Sequence, residues 1–234
     1  MSWPRPPGII PIWGPLLVSY LLVDTNQAVL IDTGLIGAPR QVRRALRRLG
    51  KGPEFLGAIL LTHGHLDHTG GAAALQAWSG CEVWLHNADR DHLNGTHHYT
   101  GPSRWCGRLE ALGRTLLRYR APAVTHTFVE GDTLPFWGGL EVVHLPGHTA
   151  GHCGFLSRMN RLLFCGDLFA NYLGRPHPPP RFLNADSATL RKSLSRIEAS
   201  EAHYLLPNHV THLNASRHRA AFDRMMQTRA RPPL

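Results

Sequence analysis

Three histidines and an aspartate fall within six consecutive positions of the stretch LTHGHLDHTGG (61–71): His63, His65, Asp67 and His68. Imidazole nitrogens and carboxylate oxygens are the donor atoms that hold a divalent ion, and few other roles ask for them so densely. In an extended segment side chains alternate, so His63 and His65 point the same way and can grip one ion. Asp67 and His68 fall where the chain turns into a helix and project elsewhere. One short loop can therefore serve two neighbouring metal sites. Further ligand-type residues stand just past three other apolar runs: His148 after the run ending near Leu145, Asp167 after 162–165, and His209 after 204–206. If each run is a strand, all of these side chains can converge on one edge of the sheets. A donor set of nitrogen and oxygen alone suits zinc, and also iron or manganese.

The elements that must position these residues are legible as alternating strand and helix patterns. Strand-like runs cover 16–23 and 28–32, joined by a hairpin turn at 24–27. Others lie at 57–61, 82–85, 126–129, 140–145, 153–157, 161–165 and 203–206. Helices are expected at 38–50, 69–80, 103–120, 186–199 and 214–228. The first carries the apolar stripe Val42, Ala45, Leu46 and Leu49, with five arginines on its other face. Two strand series separated by helices predict an α/β fold of two sheets with helices outside, a four-layer αββα sandwich.

The 234 residues suit one domain, read as spanning 1–234, with a composition (43% hydrophobic, 18% charged) that is ordinary for a globular protein. Pro4, Pro6, Pro7, Pro11 and Pro15 break any signal-peptide core, and no run reaches a membrane-spanning length, so no membrane insertion and a cytoplasmic location are expected. Cys81, Cys106, Cys153 and Cys165 form no C-x-x-C pair and read as reduced and buried. The net charge of +9 comes almost wholly from arginine, Lys51 and Lys192 being the only lysines. It points to an anionic small-molecule substrate. The arginines are spread out rather than forming a block, which disfavours nucleic acid as a partner. A homodimer is compatible with all of this.

The chain resembles the metallo-β-lactamase superfamily from Asp32 to His209. The resemblance rests on the H-x-H-x-D-H motif (His63, His65, Asp67, His68), on His148, Asp167 and His209 in family order, and on the LIDTG stretch at 30–34. It implies an αββα fold with a dinuclear site between the sheets. His63, His65 and His148 would hold one ion, Asp67, His68 and His209 the other, and Asp167 would bridge them. Asp32 would support the site, and His152 would be a buried hydrogen-bonding neighbour rather than a ligand. The family's usual P-G-H-G reads Pro207-Asn208-His209-Val210 here. Those bulkier neighbours would restrict the backbone and loosen the second site, with His212 as the substitute ligand. Cys165 is read as core.

The resemblance also narrows the reaction. An aspartate at 167 argues against β-lactam hydrolysis, and the 41 residues between Asp167 and His209 leave no room for a large nucleic-acid-processing insertion. Cleavage of an ester or thioester, similar to that of hydroxyacylglutathione hydrolase (glyoxalase II), is the expectation. Two divalent ions, zinc foremost, would supply hydroxide, with Asp67 or Asp167 managing the proton. Activity would fall below about pH 6 as the histidines protonate. Lactonases are the alternative, although the tyrosine they carry three residues past the bridging aspartate is Ala170 here, with Tyr172 two further on. A single-iron persulfide dioxygenase-like enzyme and a basic nucleic-acid binder are alternatives of other classes. The segment 92–122 reads as an inserted lid that would bring His97, His98, Tyr99 and Trp105 over the metals, with Arg104 or Arg108 on an anionic group. The stretch 171–182, with Tyr172, Arg175 and Arg181, forms a second wall stiffened by its prolines.

Overall fold

The computed structural model describes residues 5–230; Pro4 of the N-terminal proline cluster and residues 231–234 lie outside the described residues. Six strands form the first sheet in sequential order: β1 (Ile9–Trp13), β2 (Val18–Val23), β3 (Ala28–Ile31), β4 (Leu56–Leu60), β5 (Glu82–His86) and β6 (His126–Phe128). The next four strands are β7 (Thr133–Leu134), β8 (Leu140–His144), β9 (Cys153–Ser157) and β10 (Leu162–Gly166). A small hairpin of β11 (Ala170–Tyr172) and β12 (Arg175–His177) precedes β13 (Tyr204–Pro207). The second sheet is ordered β13-β10-β9-β8-β7. Helices α1 (Ala38–Arg48), α2 (Leu66–Thr69), α3 (Ala72–Ser79), α4 (Arg90–Asn94) and α5 (Arg104–Leu116) belong to the first half, α6 (Ser187–Glu198) and α7 (Ala215–Ala230) to the second.

Strand alternation builds the layers. Tyr20, Leu22, Val29, Ile31, Ala58 and Leu60 face the second sheet, meeting Leu140, Val142, Phe155 and Phe164 in the central core. Their sequence neighbours Leu21, Leu30, Ile59 and Leu61 face the other way, onto Val42 and Leu46 of α1 and Ala72 and Leu75 of α3. On the second sheet Val143, Leu163 and Leu205 pack outward against Leu190 and Leu194 of α6 and Phe222 of α7. The architecture is αββα. The Tyr20 hydroxyl donates to the Pro207 carbonyl across the core at 2.6 Å, so even its one polar atom is satisfied.

The topology puts every strand end of interest on one edge. Strands β3, β4, β5 and β6 run parallel, which demands crossovers and sends each carboxyl end into a loop on the same side. Strand β4 delivers His63 there. Parallel pairing of β10 with β13 sets Gly166 beside Pro207, so Asp167 and His209 emerge as neighbours.

Strand β1, the short β7, the β11–β12 hairpin and α4 carry weak sequence signals and were not expected. In β1 the cause is Pro11, tolerable because this strand is at the sheet edge. The expected helix at 69–80 is split, since Gly70 and Gly71 press against the backbone of Gly34 and Thr33. Leu49, expected in the buried stripe of α1, caps that helix and is exposed. All four cysteines are free and buried. No helix of the described residues is long and apolar enough to cross a membrane.

Candidate metal centre

Two donor clusters overlap at the shared edge. In the first, His63 Nε2 lies 3.1 Å from His65 Nδ1, which lies 3.0 Å from His148 Nε2. All three rings are buried. Burial, and then the neighbouring imidazoles, hold the His63 pKa well below the ordinary histidine value. Burial likewise depresses His65 and His148. Three neutral nitrogens facing one point with no proton donor among them is the chemistry of a cation site.

The second cluster is acidic. Asp167 lies 3.1 Å from His68 Nε2, 3.1 Å from His209 Nε2 and 3.4 Å from His148 Nε2, touching both clusters. Asp67 lies 3.4 Å from His209 Nε2 and 3.7 Å from His68 Nε2. Burial disfavours the His68 cation, yet the carboxylates of Asp167, Asp32 and Asp67 more than offset it and hold the pKa well above the ordinary value. His209 is raised in the same way, against its burial, by Asp167 and Asp67. His68 Nε2 and Asp167 Oδ1, although 3.1 Å apart, are not aligned for a hydrogen bond and are buried with no other partner. The pocket thus favours positive charge, and its orphaned donors fit a divalent ion. Three residue groups can each hold one: His63, His65 and His148; His63, His68 and Asp167; Asp67, His68 and His209.

The rings are aimed by partners behind them. His63 Nδ1 donates to the Thr62 hydroxyl at 3.0 Å, which donates to Asp32 at 2.8 Å. His148 Nδ1 donates to Asn184 Oδ1 at 3.2 Å. His65 turns Nε2 toward the Cys106 sulfur at 3.9 Å. His209 Nδ1 meets the Leu16 carbonyl at 3.0 Å and the Tyr172 hydroxyl at 2.9 Å. In every case the outward nitrogen is engaged and the other faces the centre. Residues Thr62, Asn184, Cys106 and Leu16 were not anticipated; only Thr62, inside the histidine loop, had a sequence cue.

Asp32 is fully buried at a positive φ of 54°, a conformation that aspartate tolerates better than most residues. It accepts from Thr62 N, Thr62 Oγ1, His68 Nδ1 and Asn208 Nδ2 at 2.8–3.0 Å. Asn208 also donates to the Val18 carbonyl at 2.9 Å. Asn208, expected to restrict the backbone beside the second site, ties the segment carrying His209 to Asp32 and β2, while Val210 is buried in the central core. Asn208→Gly, which restores the family glycine, is expected to cost about 2–4 kcal/mol through lost buried hydrogen bonds and added chain entropy. An unchanged urea midpoint would refute that role. His212 is remote, stacked on His218.

Two further carboxylates were missed. Asp89 accepts from Gly64 N, Thr149 Oγ1 and Gly151 N at 2.6–2.8 Å, joining the His63–His65 loop to the His148 loop. Glu110 accepts from Leu66 N at 2.8 Å and pairs with Arg114, whose guanidinium also reaches the His92 and Leu93 carbonyls. His152 donates from Nδ1 to the Leu145 carbonyl and accepts at Nε2 from Asp167 N, both at 3.0 Å. Cys165 lies in the core against α6 and α7.

The anticipated lid residues are not brought to this cluster. His97 stacks on His92 at 3.7 Å, and with Tyr99, Arg104 and Arg108 it lines a cavity of about 390 Å³ that includes none of the donor residues and adjoins their groove through Glu110. His98 is exposed. Trp105 is 64% exposed, its ring covered by Arg108. The reason is the rotation of α5: Cys106, Leu109 and Glu110 face the centre and positions 105 and 108 do not. Tyr172 borders the groove and meets His209 at its outward nitrogen. Arg175 is exposed on the hairpin and lines neither pocket at the donors.

This fold, with paired donor clusters at the carboxyl ends of its strands, defines a class of metal-binding proteins. The metallo-beta-lactamase superfamily model matches residues 14–209, and the chain belongs to that superfamily of metallo-hydrolases. The hydroxyacylglutathione hydrolase GloC of Haemophilus influenzae is 32% identical over 169 residues, 69% of this chain and 70% of that protein. The probable metallo-hydrolase YflN of Bacillus subtilis is 28% identical over 202 residues, covering 80% and 76%. Among solved structures, TTHA1623 in a di-iron-bound form matches with a TM-score of 0.70 at 27% identity, covering 91% of this chain and 98% of that one. A family protein of Thermus thermophilus, TTHA1429, shares the fold at a TM-score of 0.68 and 22% identity, covering 96% and 81%.

Proposed function

We propose that this protein hydrolyses an ester or thioester with two divalent ions, zinc foremost, as a hydroxyacylglutathione hydrolase-like enzyme. The observation that carries this reading is the overlap of the two donor clusters through Asp167 at the floor of a surface groove. Two ions bound there lower the pKa of water and polarise a carbonyl oxygen. The chain's own residues do the rest. His63, His65 and His148 present aimed lone pairs for one ion, and Asp67, His68 and His209 serve the other. Asp167 serves both, and its charge offsets part of theirs. Asp67, the more exposed of the two aspartates at 26% of its side chain, holds the proton released from the attacking water and returns it to the leaving group. His152 fixes the backbone of Asp167 without entering the reaction.

Lactone hydrolysis is the second reading, favoured by the Tyr172 hydroxyl, which stands at the groove beside His209. Elemental analysis of the purified protein, coupled to a panel of thioesters, esters and lactones, tests both. About two metal ions per chain and turnover of at least one class are expected; fewer than about one ion per chain would overturn the dinuclear reading.

A further inference from the structure

The groove above the donors carries a statement about the substrate that deepens the hydrolase reading and rests on it. Two pockets adjoin there, sharing an edge formed by Leu16, Leu183, Asp67, Asp167 and His209. One, of about 340 Å³, is walled by Phe169, Ala170, Tyr172, Pro179 and Pro180. The other, of about 270 Å³, is walled by Leu35, Leu66, Cys106 and Leu109. Among the described residues no lysine or arginine lines either one, despite a net charge of +9, and His177 is the one basic side chain of the first pocket besides the donor His209. Arg104, Arg108 and Arg114 face the adjoining cavity instead. Glu110, which lines the second pocket, has its charge met by Arg114 at 2.7 Å.

We propose that the substrate is an uncharged ester or thioester carrying apolar groups on both sides of its carbonyl. With the carbonyl at the shared edge, the acyl chain and the leaving group each enter one pocket. At the roughly 30 Å³ that a water-sized group occupies, each pocket holds about ten such groups. A carboxylate placed deep in either, away from the ions at the shared edge, would be stripped of water and meet no lysine or arginine. This departs from the anionic substrate that the overall charge suggests and from a glutathione thioester with its two carboxylates; it rests only on the ester or thioester hydrolysis of the proposed function. In the reaction the acyl C–O or C–S bond breaks, the water oxygen bonds to the acyl carbon, and one water proton leaves with the alcohol or thiol.

The test uses the protein carrying its metals and two esters of equal length, 4-nitrophenyl hexanoate and mono-4-nitrophenyl adipate. The hexanoate is expected to exceed the adipate in kcat/KM by about 100-fold or more. Each methylene added to a shorter acyl chain should raise kcat/KM about two- to fourfold until the pocket is full. Leu183→Arg should narrow the gap between the two esters at least about tenfold, by supplying the missing cation. Calorimetry gives a readout free of turnover: uncleavable nonan-5-one should bind more tightly than 5-oxononanoate, with a negative heat-capacity change. Equal or better use of the adipate would overturn this inference while leaving the hydrolase reading intact. Cleavage of no ester by the metal-loaded protein would overturn the hydrolase reading, and this inference with it.

Discussion

Asp167→Asn is expected to reduce hydrolysis on the order of 10³-fold or more and to lower the bound metal from two ions toward one. The substitution keeps the shape and removes the one charge that both donor clusters share, within 3.1–3.4 Å of His68, His148 and His209. Groups that merely orient metal ligands are worth about 10- to 100-fold, so a residue placed between the ions should exceed that range. A second consequence appears without metal. In the metal-free chain the His68 and His209 cations, raised above the ordinary pKa by Asp167 among others, stabilise the fold. A raised histidine contributes fully below its unfolded pKa, and the contribution is lost as pH rises through the folded value. Asp167→Asn should therefore destabilise the metal-free protein by about 3–5 kcal/mol near pH 6, and by less at pH 9. Urea melts at the two pH values, with inductively coupled plasma analysis of the loaded protein, decide the matter. A variant that keeps two ions and full turnover would show that Asp167 is no bridge.

Acid should unfold the metal-free protein well above the carboxylate range. His152 and His92 are pushed down to about 3, and His218 to about 4, in each case by burial first. Geometry agrees for two of them. His152 must keep a lone pair on Nε2 to accept from Asp167 N, and His218 bridges the Asn171 amide and the His212 carbonyl in one neutral tautomer. On unfolding below about pH 6.5 all three take up protons, so the unfolded chain binds more and stability falls as pH falls. Three protons correspond to a slope approaching about 4 kcal/mol per pH unit, or about 5 kcal/mol between pH 6.5 and 5, comparable to the whole stability of an ordinary domain. His218→Gln, at a residue that touches Asn171 and His212 but none of the donors, should remove about one proton from that slope. A stability profile flat between pH 7 and 5 would contradict the neutral buried state.

Much of the donor set was legible because metal chemistry restricts it to few residue types, and because a strand end advertises itself as the close of an apolar run. His148, Asp167 and His209 were found that way, although up to 146 positions separate His63 from His209. The alternation in β2, β3 and β4 likewise announced two-sided burial, and the sandwich followed. Which residues of the 92–122 segment face the groove was misjudged for a physical reason. Aromatic and basic residues at 97–108 look suited to a substrate, but which of them face it depends on the rotation of α5 about its axis. That rotation is set by the clasp of Glu110 and Arg114 onto the metal loop, a tertiary contact with no local signature.

By its residues alone the chain specified the fold class, the metal-type donors and their order along the sheets. These follow from local rules of period and chemistry that need no knowledge of distant neighbours. The tertiary structure alone decided which nitrogen of each histidine faces the centre, since Thr62, Asn184 and the Leu16 carbonyl make that choice. It also turned Asn208 from a suspected obstruction into a strut and left the groove apolar in a strongly basic protein. Contacts of this kind join segments far apart in sequence, often through backbone carbonyls, and no residue type or spacing encodes them.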